Sequence, residues 1–169
     1  MLLNKLYAIF LLYLSSVISL LANLPELSSI NPIEFDEVAQ KLVASNEATF
    51  DFKNIRLKAD VITYYKNYNL LNARGGINFV SNNHRLLSDD FALDVQSNTF
   101  SINNIKYGTW PYYISAKSGG GNEERIQFNQ GVFYYGNPHP LSPNLKAQTV
   151  SIVNKDNKKE IIFKNTFIN

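Results

Sequence analysis

The sequence predicts an all-β protein built of stacked, bent strands, and three observations carry that expectation. One short pattern recurs: Arg56-Leu57-Lys58-Ala59-Asp60-Val61-Ile62-Thr63-Tyr64, then Arg85-Leu86-Leu87-Ser88-Asp89-Asp90-Phe91-Ala92-Leu93, and more loosely Leu145-Lys146-Ala147-Gln148-Thr149-Val150-Ser151-Ile152. The first two copies sit 29 residues apart, at positions 57 and 86. A period of that length marks a supersecondary unit that cannot bury its own apolar face and must stack on its neighbours; such a molecule suits binding along a groove better than chemistry at a point. The second observation is a series of short strand-like runs with turn signals at about 8–12 residue spacing. The third is the aromatic content, 11 Phe and 10 Tyr against one Trp in 169 residues, a bias toward strands.

The elements follow in order. Lys5 and the uncharged apolar run Leu6 to Ala22 make residues 1–22 an export signal, with Val17-Ile18-Ser19 or the Ala22-Asn23 junction as cleavage sites. An uncleaved anchor is the rival reading, because the run sits at the lower limit for spanning a bilayer. Residues 23–48 read as a linker and an amphipathic helix. Asn31 is the N-cap, Pro32 the first helical residue, and Phe35, Val38, Ala39, Leu42 and Val43 form one apolar stripe. That helix, Pro32 to Ala44, would pack over an open end of the strand stack or bind a partner.

Residues 49–169 form the β domain. Expected strands are Thr49–Phe52, Ile55–Tyr65, Leu70–Ala73, Ile77–Val80, Arg85–Val95, Thr99–Tyr107, Tyr112–Ala116, Arg125–Tyr134, Leu145–Val153 and Glu160–Phe167. Between them lie turn residues, among them Arg74-Gly75-Gly76, Ser81-Asn82-Asn83 and Ser118 to Asn122. Within each repeat the alternation changes phase. Leu57 and Ala59 share one parity and Ile62 and Tyr64 the other; Leu86 and Ser88 against Phe91 and Leu93, and Leu145 and Ala147 against Val150 and Ile152, do the same. A strand that switches phase at one place implies a bulge or corner there, with the small residue (Ala59, Ser88, Ala147) where the chain bends close to a neighbour. The result is a rolled two-layer structure with an apolar interior.

Composition narrows the function. The chain is 45% hydrophobic and 18% charged, so it folds. A net charge of +2, without a basic stripe interleaved with aromatics, argues against nucleic acid. The absence of cysteine excludes disulfides, thiolate metal sites and a cysteine nucleophile. His84 and His139 lack companion ligands at metal spacing and read as surface turn histidines. Asp89-Asp90 point to opposite faces of a strand, and a turn or bulge role suits them better than shared chemistry. Ser118-Gly119-Gly120-Gly121 lacks the Lys-Ser/Thr of a phosphate cradle and reads as a flexible hairpin. Serine lacks a nucleophile elbow. Trp110-Pro111-Tyr112-Tyr113 packs in the core or at its end, or else touches an acyl chain or sugar. The expectation is a protein with no enzymatic activity, no metal and no cofactor.

The ordered motifs Leu57-x-Ala59-Asp60-x-Ile62-x-Tyr64-Tyr65 and Arg85-Leu86-x-Ser88-Asp89-x-Phe91-x-Leu93-Asp94 resemble the organic-solvent-tolerance-like (OstA-like) domain of the lipopolysaccharide transport and assembly family. The segment Leu70 to Phe79 is similar to the family's Ala-x-Gly-Asn-Val turn, with Gly76-Ile77-Asn78 in a departing order. The stretch Ile105 to Ile114 looks most like the N-terminal periplasmic region of the family's outer-membrane assembly protein. The resemblance covers about residues 49–167. It implies a twisted β-jelly-roll, open at its edges, that takes up the acyl chains of lipopolysaccharide in an apolar groove and passes the lipid across the periplasm toward the outer membrane. Implied partners are lipopolysaccharide, neighbouring OstA-like jelly rolls joined by edge-strand addition, and an outer-membrane barrel. Implied localisation is the periplasm, with inner-membrane anchoring if the N-terminal segment stays uncleaved. No room for a barrel exists here, so the expectation is a stand-alone exported domain or a piece of a longer or split protein. Expected groove residues are Leu57, Ala59, Ile62, Tyr64, Leu86, Phe91, Leu93, Phe100, Ile102, Ile114, Phe128, Val150 and Ile152. The alternatives are a structural or adhesin-like exported β-solenoid module with no lipid ligand and, far behind, a secreted carbohydrate-active enzyme.

Overall fold

A computed structural model describes residues 25–81, 84–122, 124–139, 142–155 and 158–168. The expected export segment, 1–22, lies outside the described residues. The chain forms one antiparallel sheet of eleven strands: β1 (Glu26–Ser28), β2 (Glu34–Asp36), β3 (Lys41–Phe52), β4 (Ile55–Tyr65), β5 (Leu70–Ser81), β6 (His84–Asp94), β7 (Thr99–Thr109), β8 (Tyr112–Gly121), β9 (Arg125–Tyr135), β10 (Asn144–Lys155) and β11 (Lys158–Ile168). From β3 to β11 each strand pairs with the next, while β1 and β2 both lie against β3.

This sheet folds over on itself. Phe79 of β5 pairs with Leu86 of β6, and Phe91 lies five residues further along β6. On a flat sheet that offset spans about 17 Å, yet the Phe79 and Phe91 ring centroids are 4.9 Å apart. Tyr107 and Phe128 behave alike. Their β8 partners, Ile114 and Gly119, are five residues apart, and their rings approach to 5.4 Å. Each long strand therefore contributes one half to a first layer (Ile55–Ala59, Ile77–Ser81, His84–Ser88 and their partners) and the other half to a second (Ile62–Tyr65, Leu70–Arg74, Asp90–Asp94 and theirs).

A crease between the layers crosses every long strand. Pairing shifts register between Ser45 and Ala48, between Lys58 and Val61, and between Arg74 and Ile77, and Gln148 of β10 and Gln130 of β9 fall out of the ladder together. On odd-numbered strands the crease is made by left-handed residues: Asn46 and Glu47, Gly75 and Gly76, Asn104, Gln130, and Asn165. The even-numbered strands supply small inward residues there, Ala59, Ser88, Ala116 and Ala147. At the crease Ser88 Oγ donates to the Asn103 carbonyl. The phase switches read from the sequence are these corners.

Three sequence expectations are corrected. The helix Pro32 to Ala44 does not form: that segment is β2, a turn, and the start of β3. Asp36 Oδ1 accepts the N–H groups of Val38 (3.1 Å) and Ala39 (2.9 Å), and Gln40 turns left-handed, so the side chain of Asp36 reverses the chain where a helix was expected. Val38, expected on the apolar stripe, is 98% exposed. Arg74-Gly75-Gly76 is no turn between two strands but a bulge inside the single strand β5; its left-handed glycines make a corner, and a Cβ at Gly75 would collide with the Asp60 carboxylate. Ser118–Gly121 is strand, not a hairpin loop. A Cβ on Gly119 would lie 2.8 Å from Ile105 Cδ1, so glycine permits close packing here.

Candidate functional site

The alternation in each half-strand sends one set of residues into the space between the layers. Of the residues expected to line a groove, Leu57, Ala59, Ile62, Leu86, Phe91, Leu93, Phe100, Ile102, Ile114, Phe128, Val150 and Ile152 are all buried there, and Tyr64 is partly buried against them. The fold thus brings all of them into one apolar cluster. Its size grades with distance from the crease. Alanine, serine and glycine sit at the fold line, where the layers converge. Aromatics sit farther out and touch across the gap: Phe50 with Tyr64 (6.3 Å), Phe79 with Phe91 and Phe100 (4.9 and 5.4 Å), Tyr107 with Phe128 (5.4 Å), and Phe133 with Phe163 (5.2 Å). They form an aromatic spine running from β3 to β11. Phe50, Phe79, Tyr107, Phe133 and Phe163 were missed as candidates, although their in-phase alternation with Leu57, Leu86, Ile114 and Val150 was visible.

The interior carries no buried Asp, Glu, Lys or Arg among the described residues; the buried polar side chains are Ser81, His84, Ser88 and Ser151. His84 corrects another expectation, being 8% exposed and not a surface residue. Its Nδ1 lies 2.7 Å from the Tyr107 hydroxyl, and its Nε2 lies 3.4 Å from Asn154 Nδ2 in the opposite layer. Burial pushes the Tyr107 phenol well above its ordinary value, so it keeps its proton. Trp110, by contrast, projects from the β7–β8 turn, 72% exposed, and takes no part in the core. No group of three or more His, Cys, Asp or Glu able to hold a metal occurs among the described residues.

Opposite the crease, the hairpin ends of the two layers meet and form a mouth. Ser81 and His84 come from the first layer, Leu93, Asn98, Phe100, Asn122 and Ile126 from the second, and they enclose a cavity of about 10 Å³, roughly the space of a single water. Asn98 Oδ1 is buried there with no hydrogen-bond partner among the described residues. The interior is therefore closed by its own side chains.

An antiparallel sheet folded along a crease of bulges, with an apolar slot between its halves, defines a twisted β-jelly-roll. The solved structure of LptH from Pseudomonas aeruginosa, described as the LptA-homologous periplasmic component of the conserved lipopolysaccharide transport device, has this same fold. It superposes with a TM-score of 0.57 at 7% sequence identity, covering 84% of this chain and 96% of that one. No protein-family model matches the chain, and no curated protein matches it by sequence.

Proposed function

We propose that this protein is a non-catalytic carrier of lipopolysaccharide that receives the lipid's acyl chains between its two layers and passes it across the periplasm toward the outer membrane. The observation that carries this reading is the apolar slot itself, walled from β4 to β10 by Leu57, Ile62, Leu86, Phe91, Phe128 and Val150 and free of buried charge among the described residues. The fold shared with LptH supports it. A lipid with several acyl chains needs a continuous trough, since each CH₂ left in water costs about 0.8 kcal/mol. A uniform lining also lets a chain slide without falling into deep wells.

Because the slot is closed, entry works by parting the layers at the mouth. At that edge the unsatisfied Asn98 oxygen offers an acceptor to a ligand N–H or O–H. Onward transfer uses strand addition between neighbouring jelly rolls, and an outer-membrane barrel is the partner at the far end. Closure of the interior favours the rival reading, a structural module with no lipid ligand. A photo-crosslinking residue at Phe91 or Tyr64, introduced in lipopolysaccharide-producing cells, separates the two. Adducts at Phe91 and Tyr64 but not at Gln127, exposed on the outer face of the second layer, support the carrier; adducts at neither interior site, or equally at Gln127, overturn it.

A further inference from the structure

The outer faces of the two layers differ in a way the interior does not require. In the first layer, two rows of outward residues cross the sheet by register. One runs Arg56, Val80, Arg85, Gly108, Tyr113, Tyr134; the next runs Lys58, Asn78, Leu87, Lys106, Ser115, Val132, Lys146. The corresponding rows of the second layer carry less positive charge: Asn72, Ala92, Ser101, Gly120 and Gln127 in one, and Arg74, Asp90, Asn103, Ser118, Asn129, Thr149 and Lys164 in the next.

A groove of about 540 Å³ opens on the first of these faces, with Arg85 and Lys106 on one side, Tyr113 and Tyr134 on the other, and Leu87 and Gly108 in its floor. That volume is within the range of small-molecule sites. Arg85 pairs with Gly108, and Lys106 with Leu87, so the two cations are diagonal neighbours about 7 Å apart at Cβ, close enough for both to reach one anion. Lys106 has no partner among the described residues, Arg85 donates only its Nε–H, to Asn78 Oδ1 at 3.1 Å, and no carboxylate lines the groove. Gly108 leaves room for the Tyr113 ring: a Cβ there would meet Tyr113 Cε1 at 3.3 Å. From Arg85 through Gly108 and Tyr113 to Tyr134 the row spans about 14 Å, room for one or two sugar rings. Tyrosine faces take up the C–H side of a sugar, while a planar guanidinium and an ammonium are the groups that hold a phosphate.

We propose that this outer groove binds a phosphorylated saccharide, its phosphate held by Arg85 and Lys106 and its ring laid against Tyr113 and Tyr134. The site lies outside the slot, so it stands or falls independently of acyl-chain binding. The test follows backbone amide shifts of Gly108, Tyr113 and Tyr134 by NMR while the intact protein is titrated with glucose 6-phosphate, with lipopolysaccharide stripped of its acyl chains, and with inorganic phosphate. Saturable shifts at these amides with either sugar phosphate support the proposal. Tighter binding of the stripped lipopolysaccharide assigns the site to a lipid headgroup, and equal or tighter binding of glucose 6-phosphate assigns it to a free sugar phosphate. Arg85→Gln, at an exposed position, is expected to weaken binding about tenfold, one charge-assisted contact, with a folded spectrum retained. No saturable shift with either sugar phosphate, inorganic phosphate binding as tightly as both, or Arg85→Gln binding unchanged would each overturn it.

Discussion

At its N-terminal edge the sheet ends in β3, and the chain covers that edge with its own short strands. β1 pairs with Thr49 to Asp51 on one side of the crease, and β2 with Lys41 to Val43 on the other. The left-handed pair Asn46-Glu47 separates the two covered stretches. At the opposite edge β11 runs from Lys158 to Ile168 with β10 on one flank and no described strand on the other. An uncovered strand of that length is a template for another chain. Among the described residues the same repeated hairpin thus finishes in two ways, one edge covered and one not, and the difference is a polarity: β3 is already occupied, while β11 is the edge left for strand addition.

The strongest way to break that polarity is to uncover β3. Removing residues 25–36, which hold β1 and β2, is expected to turn a molecule that pairs at most through β11 into one with two complementary edges. Heterologous pairing of β11 on β3 does not close, so open chains of copies should replace discrete species in sedimentation velocity. Unchanged sedimentation would show that β1 and β2 do not guard the edge.

Packing should follow the same asymmetry. Phe50 of β3 is fully buried, whereas Phe163 of β11 is only partly so. Phe50→Ala is expected to cost about 3–5 kcal/mol in urea unfolding, and Phe163→Ala about 1–2 kcal/mol, since part of its surface already faces water. At the crease, Gly75→Ala forces a non-glycine residue into a left-handed corner against Asp60 and should cost about 1–3 kcal/mol. Asn165→Gly at the β11 corner keeps the backbone and should stay within about 0.5 kcal/mol, because only the exposed contact to Gln148 is lost.

Acid should produce the smallest effect, at the covered edge and at the β6–β7 turn, where the Ser97 N–H holds the Asp94 carboxylate below its ordinary value. The Asp36 carboxylate is held below its ordinary value, first by the Ala39 N–H and further by Lys41, 3.3 Å away. A depressed folded value means the contribution is present above the unfolded aspartate value of about 4 and fades as pH falls through the folded one. Protection factors at the Val38 and Ala39 amides should fall below about pH 4, while those of β10–β11 amides hold. Asp36→Asn should remove the pH response at Val38 and Ala39.

The two edges also show what the sequence could and could not convey. The β11 end and most of the sheet were legible because Ile, Val and Phe alternate at period 2, and the corners were legible because the phase slips at Ala59, Ser88 and Ala147. The β3 end was misread because Phe35, Val38, Ala39, Leu42 and Val43 happen to fall at helical spacing; a local turn by Asp36 and pairing with β4 decided the outcome, and pairing is a tertiary matter no window displays. Gly75-Gly76 misled for a related reason. Left-handed freedom serves a corner inside a strand as well as a turn between strands, and only the partner strand tells which. For the interior, the residue types were readable, and so was the side they share. The aromatic contacts across the gap were not, since they depend on how far the sheet closes.

One consequence of the crease concerns growth. Left-handed corners occupy only alternate strands, so a lone inserted strand would place two corners of one kind side by side and throw every later residue out of phase. Lengthening the molecule without scrambling it therefore takes whole hairpins, near the 29-residue spacing of the first two repeats. Duplication of such a unit would extend the slot by a fixed increment and leave both ends as they are.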